Sequence, residues 1–84
     1  MLKKDKYTEN LRRETLYWKQ MVGASYADIA KLIGVSSRGF IYDFCRGKTS
    51  IGYEPGRRLE IITDFMTSTE FAAWKKGQKE KFNE

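Results

Sequence analysis

The sequence predicts an all-α fold, a compact five-helix domain, and three observations carry that prediction. Apolar residues recur at three- and four-residue intervals in successive stretches of the 84-residue chain, the spacing that lines one face of a helix. Serine, threonine or proline stands at the start of these stretches and glycine closes several of them, as helix caps and stops require. Residues 25–47, SYADIAKLIGVSSRGFIYDFCRG, compress both signals into two short helices joined by a tight turn centred on glycine.

The first helix is expected from about Asn10 to Val22, with Thr8 as its cap, Leu11, Thr15, Trp18 and Val22 on one face, and Gly23 as its stop. Ser25 caps the second, in which Ala27, Ile29, Ala30 and Ile33 form the apolar stripe. Gly34 ends it in a left-handed turn, and Val35 folds back over the helix it follows. The third helix has two possible registers. If it begins at Ser36, Phe40 is the main inward residue; if Ser37 is the cap, Ile41 takes that role. Gly39 favours the later start, because a glycine inside a helix costs about 1 kcal/mol relative to alanine and costs less near its beginning. Phe40, Ile41, Phe44 and Cys45 make the inward face, leaving Arg38, Tyr42, Asp43 and Arg46 outside. After a loop over residues 47–53, Glu54-Pro55-Gly56 opens a fourth helix with Leu59, Ile61, Ile62, Phe65 and Met66 as its apolar face. Thr67 and Glu70 have capping-box spacing for a fifth. There Phe71, Trp74 and Phe82 share a stripe that Gly77 interrupts, to be buried in the chain's own core or against a second copy; packing in cis is favoured for Phe71 and Trp74.

Composition narrows the function classes. The chain reads as one domain over residues 1–84, with residues 1–9 as a basic arm open to flexibility and residues 67–84 as a C-terminal helix. With one cysteine and no histidine, neither an internal disulfide nor a Cys/His zinc site is expected, and Cys45 reads as a small core residue. No metal, other cofactor or small-molecule substrate is implied. Without histidine, an acidic pair or a phosphate-cradling glycine loop, an enzyme is the weakest reading. No apolar run approaches the ~18 residues that span a membrane, and MLKKDKYTEN lacks the hydrophobic section of a signal peptide, so no membrane partner is expected and the cytoplasm is the expected compartment. The net charge of +5 sits in the first fifty residues: residues 1–24 carry six cations against three anions, residues 25–50 four against two, and residues 51–84 six of each. A basic excess on the two-helix unit suits a polyanion, because each neutralised phosphate releases counterions.

The two-helix unit resembles the Cro/repressor (lambda repressor-like) family of phage and bacterial helix-turn-helix regulators. The matching residues are the small Ala30, the Gly34-Val35-Ser36 turn, the apolar Phe40 or Ile41, the aromatic Phe44 and the Arg46-Gly47-Lys48 exit, within a resemblance spanning roughly residues 11–66. Two features depart from the family pattern: Tyr26 stands where relatives place a phosphate-touching glutamine, and one extra residue separates Gly34 from Gly47.

The resemblance implies a sequence-specific regulator that binds double-stranded DNA, a small phage- or prophage-type repressor acting by operator occupancy. As base-reading residues it implies Ser37, Arg38 and Tyr42, with Arg38 donating to a guanine edge and Tyr42 touching a thymine methyl or a phosphate. Ser25, Tyr26, Ser36, Arg46, Lys48 and Thr49, with Ser50 beside them, become phosphate or flanking contacts; an ordinary polar loop accounts for Lys48, Thr49 and Ser50 nearly as well. Asp43 is expected to pair with Arg46 or to stay exposed. The family also implies a two-fold homodimer with reading helices about 34 Å apart. The competing reading is a protein-interaction module that modulates another protein without reading DNA, with the charged and aromatic last helix as its surface.

Overall fold

The computed structural model describes residues 6–82, and side chains as far as residue 79. Five helices follow one another: α1 Lys6–Val22, α2 Tyr26–Ile33, α3 Arg38–Cys45, α4 Tyr53–Phe65 and α5 Ser68–Phe82. No strand occurs among the described residues, as the all-α expectation requires. Lys3 and Lys4 of the expected basic arm lie outside the described residues, as does the side chain of Phe82.

α1 is the spine of the packing, touching α3, α4 and α5, while α2 packs on α3 and α4. Leu11, Thr15 and Trp18 are buried on it, and Val22 packs against the same core. The helix begins at Lys6, so Thr8 lies inside it and is not its cap. Apolar spacing missed this first turn because polar contacts hold it. The Tyr7 hydroxyl donates to Glu60 of α4 at 3.0 Å, and Arg12 pairs with Glu9 at 2.7 Å. Gly56 explains how closely α1 and α4 approach: a Cβ there would stand 3.3 Å from the Tyr7 hydroxyl and 3.8 Å from Leu11.

The core joins Leu11 and Trp18 to Ile29, Ala30, Ile33, Ile41, Phe44, Cys45, Leu59 and Phe71, so every helix contributes. Trp18 links the most distant parts. Its indole N–H donates to the Met66 carbonyl at 2.9 Å, and its ring meets Phe71 edge-on at 5.7 Å. Phe71 in turn lies 5.8 Å from Trp74, so both side chains pack in cis as expected.

The apolar face assigned to α4 is corrected. Leu59 is buried and Ile62 and Met66 pack on the core, but Ile61 and Phe65 point outward, 50% and 74% exposed. The spacing admitted all five residues because 61 and 65 are themselves one turn apart, a stripe in its own right. α5 continues through Gly77 to Phe82, so Gly77 interrupts the apolar stripe and not the helix. Its start follows the rule: the Thr67 N–H donates to Glu70 at 3.0 Å and the Glu70 N–H to the Thr67 hydroxyl at 3.1 Å.

Gly34 and Gly77 make opposite demands on their backbones. Gly34 has φ +76°, and an added Cβ would lie 3.4 Å from Arg58, whereas at Gly77 a Cβ would meet nothing within 4 Å. Gly34→Ala should therefore lower the unfolding free energy by about 1–2 kcal/mol, and Gly77→Ala should raise it by about 0.5–1 kcal/mol. Urea denaturation followed by circular dichroism reads both signs.

Candidate nucleic-acid interface

The exposed surface of the α2–α3 unit follows from how its two helices start and stop. Ser25 caps α2 by accepting from the Asp28 N–H at 3.0 Å, and the Asp28 carboxylate accepts from the Ser25 N–H at the same distance, a reciprocal capping box. At the other end, Gly34 takes the left-handed conformation and the Val35 N–H reaches back to the Ala30 carbonyl at 3.0 Å. This is a Schellman stop, with Val35 packed against the core as expected. Three residues after Gly34 lies Ser37, whose hydroxyl accepts from the Phe40 N–H at 3.4 Å. The later register of α3 is therefore the observed one. Ser36 lies before the cap, Ile41 is fully buried, and Phe40 is half-buried. A second Schellman stop closes α3, with Gly47 at φ +76° and the Lys48 N–H bonded to the Asp43 carbonyl at 2.9 Å.

These caps use part of what the candidate residues could offer a ligand. The Ser25 and Ser37 hydroxyl oxygens are occupied as acceptors, leaving their O–H groups to donate outward. Arg38, the first residue of α3, is exposed and carries no side-chain hydrogen bond or ion pair among the described residues. Ser36 and Lys48 are exposed, and the half-buried Thr49 donates to the Ser50 carbonyl at 3.4 Å.

The remaining candidates form a continuous stack. The Tyr26 and Tyr42 rings meet edge-on, 5.2 Å apart with planes at 85°. Lys19 of α1 caps one end with its ammonium 4.4 Å from the Tyr26 ring centre, and Arg46 caps the other, 5.1 Å from the Tyr42 ring. Both are cation–π distances. Arg46 also donates to the Tyr42 hydroxyl at 3.2 Å. Its expected pairing with Asp43 is therefore replaced by Tyr42, one helical turn back on the same face, and Asp43 stays exposed. Ser25, Tyr26 and Ala27 of α2 and Arg38, Gly39 and Tyr42 of α3 enclose an open notch of about 400 Å³ between the two helix starts.

Three residues of this region were not singled out by sequence reasoning. Lys19 entered only as charge, and its place over Tyr26 could not be read because it lies on another helix. Arg58 of α4 donates to the Ile33 carbonyl at 3.0 Å, satisfying the end of α2 from outside. Asp28 is the third. The Ser-x-x-Asp spacing signals its cap role, but nothing local signals its ion pair with Lys75 of α5 at 2.8 Å. Burial pushes the Asp28 pKa up, and the bonds from Lys75 and Ser25 outweigh that, leaving it below the ordinary 3.8.

Cys45 belongs to the core side of α3, where burial raises its thiol pKa from 9.0 to about 11 against the weaker pull of Lys19 and Arg12. No three His, Cys, Asp or Glu side chains converge among the described residues in a way that could hold a metal ion. No described helix is long and apolar enough to cross a membrane.

Two measurements test this electrostatic account. A depressed carboxylate pKa stabilises the fold above the unfolded pKa and loses that contribution as pH falls through the folded value. Asp28→Asn should thus cost about 1–2 kcal/mol at neutral pH, and the gap to wild type should narrow in denaturation curves taken below about pH 4. The Cys45 thiol should resist a disulfide reagent at pH 8 in the native protein and react fully in denaturant, as a buried protonated thiol must.

No family model, curated protein or solved structure matches the chain.

Proposed function

We propose that the chain is a helix-turn-helix regulator of the lambda repressor-like type, which binds double-stranded DNA sequence-specifically through α3. The supporting observation is the start of α3: Arg38 stands exposed and uncommitted on the first turn of a helix whose inward side is fixed by Ile41 and Phe44. Lys19 and Arg46 stand at the two ends of the tyrosine pair that lines the same notch as Arg38, and Lys48 is exposed just past the end of α3. A short helix with a rigid base and a guanidinium at its leading end has the form needed to reach base edges in the major groove. In this reading Arg38 donates to a guanine, Ser37 donates to a base or phosphate, and Tyr42 touches a thymine methyl or a phosphate. Ser25, Tyr26, Ser36, Arg46, Lys48 and Thr49 lie along the backbone. The protein is a binding protein without catalysis, working in the cytoplasm as a small phage- or prophage-type repressor. It occupies its operator as a homodimer with reading helices about 34 Å apart.

A second reading is a protein-interaction module; the last helix, expected as its surface, packs Phe71 and Trp74 on the core, so this reading draws instead on exposed apolar side chains of α1 and α4. Tyr17 and Met21 on α1 are 73% and 52% exposed, and Ile61 and Phe65 on α4 are similarly open. Salt-dependent binding to duplex DNA supports the first reading; co-purification with a protein partner and no DNA binding supports the second.

Selection of bound sites from random duplexes, followed by band shifts, tests the assignment. Arg38→Ala should lose about 1–3 kcal/mol of discrimination at one guanine position and relax the site preference there. Lys48→Ala should weaken binding to all sequences alike and reduce the salt slope by about one. An unchanged site preference in Arg38→Ala would refute the role given to Arg38.

A further inference from the structure

The notch between the starts of α2 and α3 has a chemistry that phosphate contact does not explain. Its lining is mostly apolar, with Tyr26, Ala27, Gly39 and Tyr42, and Ser25 and Arg38 are its polar members. Ser25 and Arg38 can each donate to a phosphate oxygen, but the rings and the methyl beside them would desolvate it without a donor of their own, so phosphate contact leaves the apolar part of the lining unexplained. Arg38 stands on the rim, next in sequence to Gly39 and on the same helical turn. In the major groove, base edges present acceptors, donors and a single kind of apolar group, the C5-methyl of thymine. 5-Methylcytosine carries the same methyl at the same ring position.

We propose that the notch lined by Tyr26, Ala27, Gly39 and Tyr42 takes the C5-methyl group of a pyrimidine, beside a guanine held by Arg38. This rests on the DNA-binding reading above and adds a specificity determinant to it. Three features carry it. The stack from Lys19 through Tyr26 and Tyr42 to Arg46 fixes both tyrosine rings, so the walls stand in place before a ligand arrives. The volume of about 400 Å³ admits the edge of a base, not the methyl alone. Cations surround the apolar floor, with Arg38 on the rim and Lys19 and Arg46 at the ends of the stack, which matches a methyl displayed on a polyanion. Gly39 has its own part in the site. An added Cβ would meet only the Ser37 hydroxyl, at 3.4 Å, so the position holds a side chain without a clash, and alanine adds a methyl at a residue that lines the notch.

The test uses a duplex selected by the protein itself. Each thymine is replaced in turn by deoxyuridine, which deletes the methyl and leaves every hydrogen-bonding group in place. At one thymine adjoining a guanine, affinity should fall about three- to tenfold, the worth of one buried methyl group. A second pair of duplexes carries cytosine or 5-methylcytosine at that position and should show the same ratio in favour of the methylated base. Direct comparison of the thymine and 5-methylcytosine duplexes then tells which source the protein prefers. In Gly39→Ala the methyl-to-no-methyl ratio should shrink towards one, a ratio read within the variant whatever its overall affinity. Equal affinity within both pairs at every position, in a protein that still binds duplex in a salt-dependent way, overturns the notch assignment alone. A full methyl effect in Gly39→Ala overturns the placement of the methyl at this notch. Absence of salt-dependent binding to any duplex overturns the assignment together with the DNA-binding reading.

Discussion

The position of Trp18 is the constraint on which the rest of the structure depends. Its indole is fully buried, with its N–H bonded to the Met66 carbonyl where α4 gives way to α5 and its ring against Phe71. A buried donor without an acceptor would cost on the order of 1–3 kcal/mol, so the α4–α5 junction has to lie where the indole can reach it. With that junction fixed on α1, Leu59 enters the core from α4 and Phe71 from α5. The α2–α3 unit then rests on a base of large, rigid side chains, which is why its outer surface is determined so far from any contact that surface makes itself.

A second layer of order connects that surface to the rest of the chain through polar groups. Asp28 belongs at once to the capping box of α2 and to an ion pair with Lys75 of α5, and Arg58 of α4 satisfies a carbonyl at the other end of α2. Both ends of α2 are thus held by helices that contribute nothing to the notch. Arg12 adds a longer bond, 3.5 Å, to the Cys45 carbonyl at the end of α3. Side chains from α1, α4 and α5 therefore satisfy backbone or cap groups of the two short helices, each only eight residues long. Helices of that length have little stability of their own.

Features decided within a few residues were legible in the sequence. The caps at Ser25, Ser37 and Thr67 and the left-handed stop at Gly34 follow from local backbone chemistry, and each is found where the sequence placed it. Most of the core was legible for a similar reason, because Leu11, Thr15, Trp18, Ile29, Ile33, Ile41 and Phe44 sit at helical spacing. What was not legible depends on how elements lie against one another. Ile61 and Phe65 repeat as a core stripe would, and only the orientation of α4 turns them outward. The choice of Arg46 between Asp43 and Tyr42 rests on Tyr42 being held by Tyr26, a neighbour from another helix. The pair of Asp28 and Lys75 and the cation over Tyr26 are likewise long-range, and no local pattern encodes them.

The ordered stack of Lys19, Tyr26, Tyr42 and Arg46 has a kinetic consequence. Long side chains usually lose rotamer freedom when a surface is covered, and a partner must wait for them to find their bound positions. Here two rings and two cations hold one another, so part of that ordering is complete before any encounter. Association with such a surface is governed by diffusion and by the pull of its charge, while the strength of the complex is set by how slowly it comes apart.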